Sequence, residues 1–259
     1  MKEKIRKILF VISLLLIIGG IAYLVFYFVQ RERNQNIYEE VQKYRLEVEV
    51  PDEPSGEEPE QEEEEEVIIP IDFASLKGIN QDIYAWIDIE DTNIHYPIVQ
   101  SATDDNYYLK RTIDGKRGYP GSIYTQMGNK KDFSDFNTVI YGHDMKDGTM
   151  FKHLHKFANA EFFQTHETIM IYTETEIKEY RVYAAIMYDN RHILDNFDQT
   201  DVEARKAFIQ SVNSSKNFRN QFREGMTIDE NSNLITLSTC ITGYPSRRFI
   251  VVAAEVVDS

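Results

Sequence analysis

The chain has 259 residues, 42% hydrophobic and 27% charged, with a formal net charge of −15, which is enough chain for one sizeable core. Phosphate recognition needs clustered Lys and Arg, so this balance argues against nucleic acid as the main partner. The single cysteine, Cys240, excludes an internal disulfide, a multi-cysteine metal site and an N-terminal lipoprotein lipidated on cysteine.

Residues 8–29 carry no charge. At ~1.5 Å per residue this run spans roughly 33 Å, the thickness of a bilayer core. Lys2, Lys4, Arg6 and Lys7 precede it, and Arg31 and Arg33 follow it. That bias predicts a single-pass signal-anchor over residues 1–33, with a cytoplasmic N-terminus and the rest of the chain outside the cell membrane. A cleaved signal peptide would have a shorter apolar core and small residues at its end, whereas Tyr27, Phe28 and Val29 stand here.

Residues 34–46 are polar and helix-tolerant and extend the anchor helix in this reading. Twelve of the 43 acidic residues fall within 47–66, together with Pro51, Pro54, Gly56 and Pro59. Such a segment buries nothing and repels itself, so 34–66 is read as an acidic tether, disordered over its acidic part. Without those twelve acids the chain carries 31 acids against 28 bases, which is nearly neutral.

The folded unit is expected over 67–259. Asp72 caps a short helix with Phe73, Leu76 and Ile79 on one side. Segments 84–90, 93–100, 122–126, 138–141, 168–175, 178–188, 234–240 and 249–257 are rich in Val, Ile, Thr and Tyr and read as eight strands. Eight strands with few helices suggest a closed barrel. A helix over 149–157 presents Met150, Leu154 and Phe157 on one side. A longer helix follows Thr200, where Thr200 and Glu203 fit a capping box ahead of Ala204, Ala207, Phe208 and Val212.

The strand 234–240 ends on the only thiol. A lone thiol outside the cytoplasm invites oxidation and is a poor choice of core filler. As a nucleophile it needs a base and a cation to raise its thiolate content. Six histidines are available; His143 stands at the end of a strand behind Gly142, while His153 and His155 sit on the following helix, where packing or exposure is the default. Arg247 and Arg248 open the last strand, and a guanidinium there suits a developing oxyanion.

Thr236–Cys240 reads Thr-Leu-Ser-Thr-Cys; Tyr141, Gly142 and His143 lie upstream and Arg248 downstream. Together these resemble the sortases, the membrane-anchored cysteine transpeptidases of Gram-positive bacteria. The helix before the first strand and the long helix between the sixth and seventh make the chain most similar to class B. The resemblance implies a mainly β fold, an eight-stranded sortase-type barrel with those two helices, preceded by a transmembrane helix. It implies a catalytic trio of Cys240, His143 and Arg248, with no cofactor and no metal. It implies secreted partners bearing a C-terminal sorting signal of the Asn-Pro-x-Thr type, cleaved after Thr through a thioacyl intermediate. The acceptor it implies is an amine of the peptidoglycan cross-bridge or its lipid-linked precursor.

Tyr141 and Ser238 point to the faces of His143 and Cys240 by two-residue alternation. With Thr239 and Leu109 they are the candidate substrate contacts. Alternative readings are a pilin-polymerising sortase, a cysteine hydrolase without transfer, and a non-catalytic anchored binding module.

Overall fold

Nine strands, five α-helices and three short 3-10 turns make up the computed structural model over its described residues, 2–46 and 68–256. The strands are β1 (Ile83–Asp88), β2 (His95–Val99), β3 (Ile123–Thr125), β4 (Asn137–Tyr141), β5 (Thr168–Tyr172), β6 (Ile177–Asp189), β7 (Gln221–Phe222), β8 (Leu234–Cys240) and β9 (Arg247–Glu255). Neighbours run β5-β1-β2-β3-β4-β8-β9-β6, and β5 pairs with β6 to close the ring. This is the eight-stranded barrel expected from the sequence. The two-residue β7 is a spur on β6. β2–β3 and β4–β8 are parallel and the other pairs are antiparallel.

Alternation along each strand sorts side chains to two sides. Ile87, Ile98, Ile140, Leu237 and Val251 fill the interior. Val139, Leu234, Ile250 and Val252 form a second apolar layer on the outside. Two helices cover that layer, α4 (Ile193–Asn196) with Ile193 and α5 (Val202–Asn213) with Phe208, Ile209 and Val212. Each such buried side chain contributes about 1.5–3 kcal/mol relative to exposure. The helix predicted after Thr200 and the unpredicted α4 therefore serve as a lid on β4, β8, β9 and β6.

Helix caps follow the sequence in one case and depart from it in another. Asp72 caps α2 (Phe73–Ile79), accepting from the Ser75 amide. The α5 cap is Asp201, whose carboxylate accepts from the Glu203 and Ala204 amides. Thr200 is not free for the expected capping box, because its hydroxyl donates to Asp198 at 2.7 Å. The helix predicted over 149–157 is the 3-10 turn Phe151–Ala158, which buries Phe151, Leu154 and Phe157 at a period of three.

The N-terminal helix α1 (Lys2–Val41) runs through the apolar stretch and beyond it, and is long and apolar enough to cross a membrane. Its far end packs on the barrel. Val41 is fully buried and Tyr38 nearly so, and the Tyr38 hydroxyl donates to the Gly121 carbonyl. Gln42 donates to the His95 carbonyl. Arg45 pairs with Asp88 at 2.9 Å. His95 donates to Asp88 and to the Thr92 carbonyl, both at 2.7 Å. Two acceptors favour the protonated ring, and the Asp88 hydrogen bond raises the His95 pKa against the opposing effect of burial.

The acidic segment 47–66, read as disordered, lies outside the described residues. Its flanks meet: Arg45 and Ile71 form an antiparallel bridge, with Leu46 donating to Pro70 and Asp72 to Tyr44, both at 2.9 Å. The distance between α1 and the barrel is thus fixed by contacts among the described residues on either side. The core reaches back to Tyr38, past the boundary expected near residue 67. A chain starting at 36 should melt ~4–8 °C above one starting at 68, the shift expected for about 2 kcal/mol in a domain of this size. Coincident thermal midpoints would show that the docked helix end adds nothing.

Candidate active site

Parallel pairing of β4 and β8 sets Tyr141 beside Ser238. The ladder continues one step, with the Gly142 amide donating to the Ser238 carbonyl at 3.1 Å. His143 therefore leaves β4 where Cys240 ends β8. Only glycine fits at 142: a Cβ there would lie 2.6 Å from Ile123 Cδ1 and from Phe151 Cγ. Antiparallel pairing of β8 and β9 then places Arg248 opposite Cys240, and directly paired residues share a face. The three sequence-predicted catalytic residues thus meet at one end of the barrel, on its outer side.

Arg247 and Arg248 part company as alternation requires. Arg248 is half-buried and Arg247 exposed. Arg247 pairs in register with Asp189 and lines a separate cleft of about 490 Å3 with Tyr188, Lys216 and Tyr244. The Arg248 guanidinium donates to the Pro245 carbonyl at 3.2 Å and the Arg247 carbonyl at 2.9 Å.

His143 is held from two directions. Its Nε2 lies 2.8 Å from the Leu109 carbonyl; a carbonyl only accepts, so Nε2 carries a proton and Nδ1 is the nitrogen left to exchange one. The Tyr119 ring stands 5.5 Å from the imidazole. Leu109, a candidate substrate contact, contributes its backbone here, while its side chain packs against the core.

Of the other candidate contacts, Ser238 is buried two residues before Cys240 on the same face. Tyr141 stacks between Tyr124 at 5.4 Å and His192 at 5.9 Å, and its hydroxyl has no partner among the described residues. Thr239 does not join them. It faces the opposite side of β8 from Cys240 and is 2% exposed, because successive strand residues alternate. Burial first, and then the nearby Cys240 thiol, pushes Tyr124 up to about 12. Tyr124 thus lies within electrostatic reach of the thiol.

Three neighbours were not anticipated: Asp144, His155 and Tyr124. The Asp144 carboxylate is almost wholly buried. It accepts from Thr242 (Oγ1 at 2.8 Å, amide at 3.2 Å) and from Lys152 at 2.9 Å. Burial works to raise its pKa, but the Lys152 and Thr242 bonds and the His155 charge outweigh it and hold the carboxyl below its usual value. Asp144 so clips the turn after His143 to the turn after Cys240. His155 Nε2 donates to the Cys240 carbonyl at 3.2 Å and lies 3.6 Å from Asp144. Burial lowers its pKa, with Asp144 opposing. Only the adjacency of Asp144 to His143 hinted at any of this in the sequence. No group of three or more potential metal ligands occurs among the described residues.

A family model described as the sortase domain matches residues 87–256. The chain belongs to the sortase family. Sortase B of Listeria monocytogenes is 33% identical over 186 residues, covering 70% of this chain and 72% of that protein. The crystal structure of sortase B from Bacillus anthracis in complex with AAEK1 superposes with a TM-score of 0.69 at 28% identity, covering 89% of this sortase and all of that chain. A Staphylococcus aureus sortase B–substrate complex gives 0.62 at 26% identity, covering 72% and 85%. The sortase is therefore of class B, a cysteine transpeptidase.

Gly142→Ala should cost ~1–3 kcal/mol of stability through overpacking, read as a lowered melting temperature, and should depress activity more than a remote variant of equal stability. Asp144→Asn should lower stability near neutral pH. The Asp144 carboxyl has a lowered folded pKa, so its contribution is complete above the unfolded value of 3.8 and fades as pH falls through the folded one. The gap between parent and variant should thus close in acid; a gap constant with pH would exclude this role.

Proposed function

We propose that this class B sortase cleaves a C-terminal sorting signal after Thr and transfers the acyl group to a cell-wall amine. The observation that carries the reading is the convergence of the sole thiol, His143 and Arg248 on one outer barrel edge. The Cys240 thiolate attacks the threonine carbonyl. Arg248 and nearby backbone amides hold the tetrahedral oxyanion, and His143 protonates the departing amine. The thioacyl enzyme is then aminolysed, with His143 taking the proton of the incoming amine.

The Leu109 carbonyl supports this cycle by keeping one nitrogen protonated and the ring in place. Tyr141, whose buried hydroxyl has no partner among the described residues, and Ser238, on the face of Cys240, are the substrate contacts favoured here; Thr239 is not among them. The secreted substrate is expected to carry an Asn-Pro-x-Thr type signal. The acceptor is an amine of the peptidoglycan cross-bridge or its lipid-linked precursor. The apolar length of α1 supports a single-pass anchor, with the barrel outside the cell membrane.

A panel of sorting-signal peptides tested with several amine acceptors checks the reading. Amine-dependent product is expected; release to water alone would make the enzyme a hydrolase, and preference for a protein lysine would make it a pilin polymerase. Cys240→Ala should abolish both cleavage and transfer with the fold retained. Arg248→Ala should lose ~10²–10³ in kcat, the usual cost of one oxyanion donor, and Arg247→Ala only a few-fold. The opposite ranking in steady-state kinetics would exchange the two roles.

A further inference from the structure

Contacts between α1 and the barrel follow the helix in order. Arg31 approaches Asp147 at 3.9 Å and Arg33 pairs with Asp114 at 3.3 Å. Tyr38 then reaches Gly121, Gln42 reaches His95 and Arg45 reaches Asp88. The barrel therefore has a near end and a far end relative to the apolar run. Arg31 and Arg33 lie ~3 and ~6 Å past Val29 along the axis, at about 1.5 Å per residue. A headgroup layer is roughly 5–8 Å thick, so Asp114 and Asp147 sit at its level.

Asp114 belongs to the connection between β2 and β3. Residues 107–120 contain Lys110, Arg111, Lys116 and Arg117 against the single acid Asp114, with three tyrosines, in a chain of net charge −15. The connection has a defined shape. Arg111 and Arg117 form an antiparallel bridge, the Thr112 amide donates to Lys116 at 3.0 Å, and the Arg111 guanidinium lies 4.3 Å over Tyr107. Lys110, Lys116, Arg117 and Tyr119 are exposed.

We infer that the 107–120 connection is a membrane-contact loop that seats Lys110, Lys116, Arg117 and Tyr119 on an anionic bilayer surface, with Arg33 gripping its tip from the anchor helix. Lys and Arg are attracted to anionic headgroups within a Debye length, and Tyr favours the interface. A docked helix exit, a local cationic surface on an acidic chain and a rigid hairpin at headgroup height all point to the same partner. The loop also carries the Leu109 carbonyl that holds His143, so the surface that touches lipid adjoins the catalytic edge. The inference rests on the reading of α1 as a membrane anchor and is separable from the chemistry proposed above.

The test uses the full chain with Cys240→Ala, which leaves one introduced thiol for a fluorophore and needs no activity. Labels go on Leu16→Cys in the anchor, Lys116→Cys in the loop and Asn231→Cys at the far end of β8. Each is placed in vesicles of phosphatidylcholine alone or with phosphatidylglycerol at about 3:1, with a spin-labelled headgroup quencher for the loop and a chain-labelled quencher for the anchor. Quenching at 116 should exceed that at 231 and rise about twofold with the anionic lipid. Lys110→Glu with Arg117→Glu should remove that rise. Quenching at 16 with none at 116 would overturn the loop while keeping the anchor. No quenching at 16 would overturn the anchor and the inference with it. Quenching at 116 indifferent to lipid charge and to the double reversal would refute recognition of anionic lipid.

Discussion

The site depends on the pairing of β4 with β8. Both strands run the same way, and β8 continues two residues past the partner of Tyr141 to Cys240, so the residues that follow β4 are delivered beside the end of β8. Gly142 extends the ladder by one bond and has no side chain to obstruct Ile123 and Phe151. Every other part of the site is attached to that juxtaposition. The antiparallel return of β9 brings Arg248 to the same edge, and the α4–α5 lid covers the apolar layer beneath it.

Around this edge the polar groups are placed to hold backbones as well as to react. Leu109 bonds His143, Asp144 bonds Thr242 and Lys152, and His155 bonds the Cys240 carbonyl. A hydrogen bond to a charged group contributes about 1.5–3 kcal/mol, so a buried carboxylate is an effective tie between two turns. The ties keep the turns that bear the thiol and the imidazole in a common frame, which is what positioning for acyl transfer requires.

The N-terminal helix is part of the same frame. A helix docked through Val41, Tyr38 and Arg45 carries the barrel at a set height, whereas an unstructured linker would let it wander. The flanks of the acidic segment meet at Arg45 and Ile71.

Much of this was legible in the chain. Enrichment in Val, Ile, Thr and Tyr marked the eight barrel strands, and alternation separated Arg247 from Arg248; Thr239, grouped with Ser238 as a candidate contact, was parted from it only by its burial. The charge-free run marked the helix able to span a bilayer, and the resemblance of Tyr141–His143 to the sortase pattern singled out His143 as the candidate among six histidines. These are local signals, carried by residues a few positions apart. Asp144 and Thr242 are separated by 98 positions, His155 and Cys240 by 85, and nothing local marks either pairing. Tyr38 and Val41 sit in a polar stretch that reads as spacer, and only contact with the barrel shows them as core. The α5 cap moved from Thr200 to Asp201 because Asp198 claimed the threonine hydroxyl. Sequence by itself determined the elements, the faces and the reactive groups, because these follow from backbone period and side-chain chemistry. Tertiary structure alone decided which groups hold the site together and where the helix docks, because those contacts form only once the barrel closes.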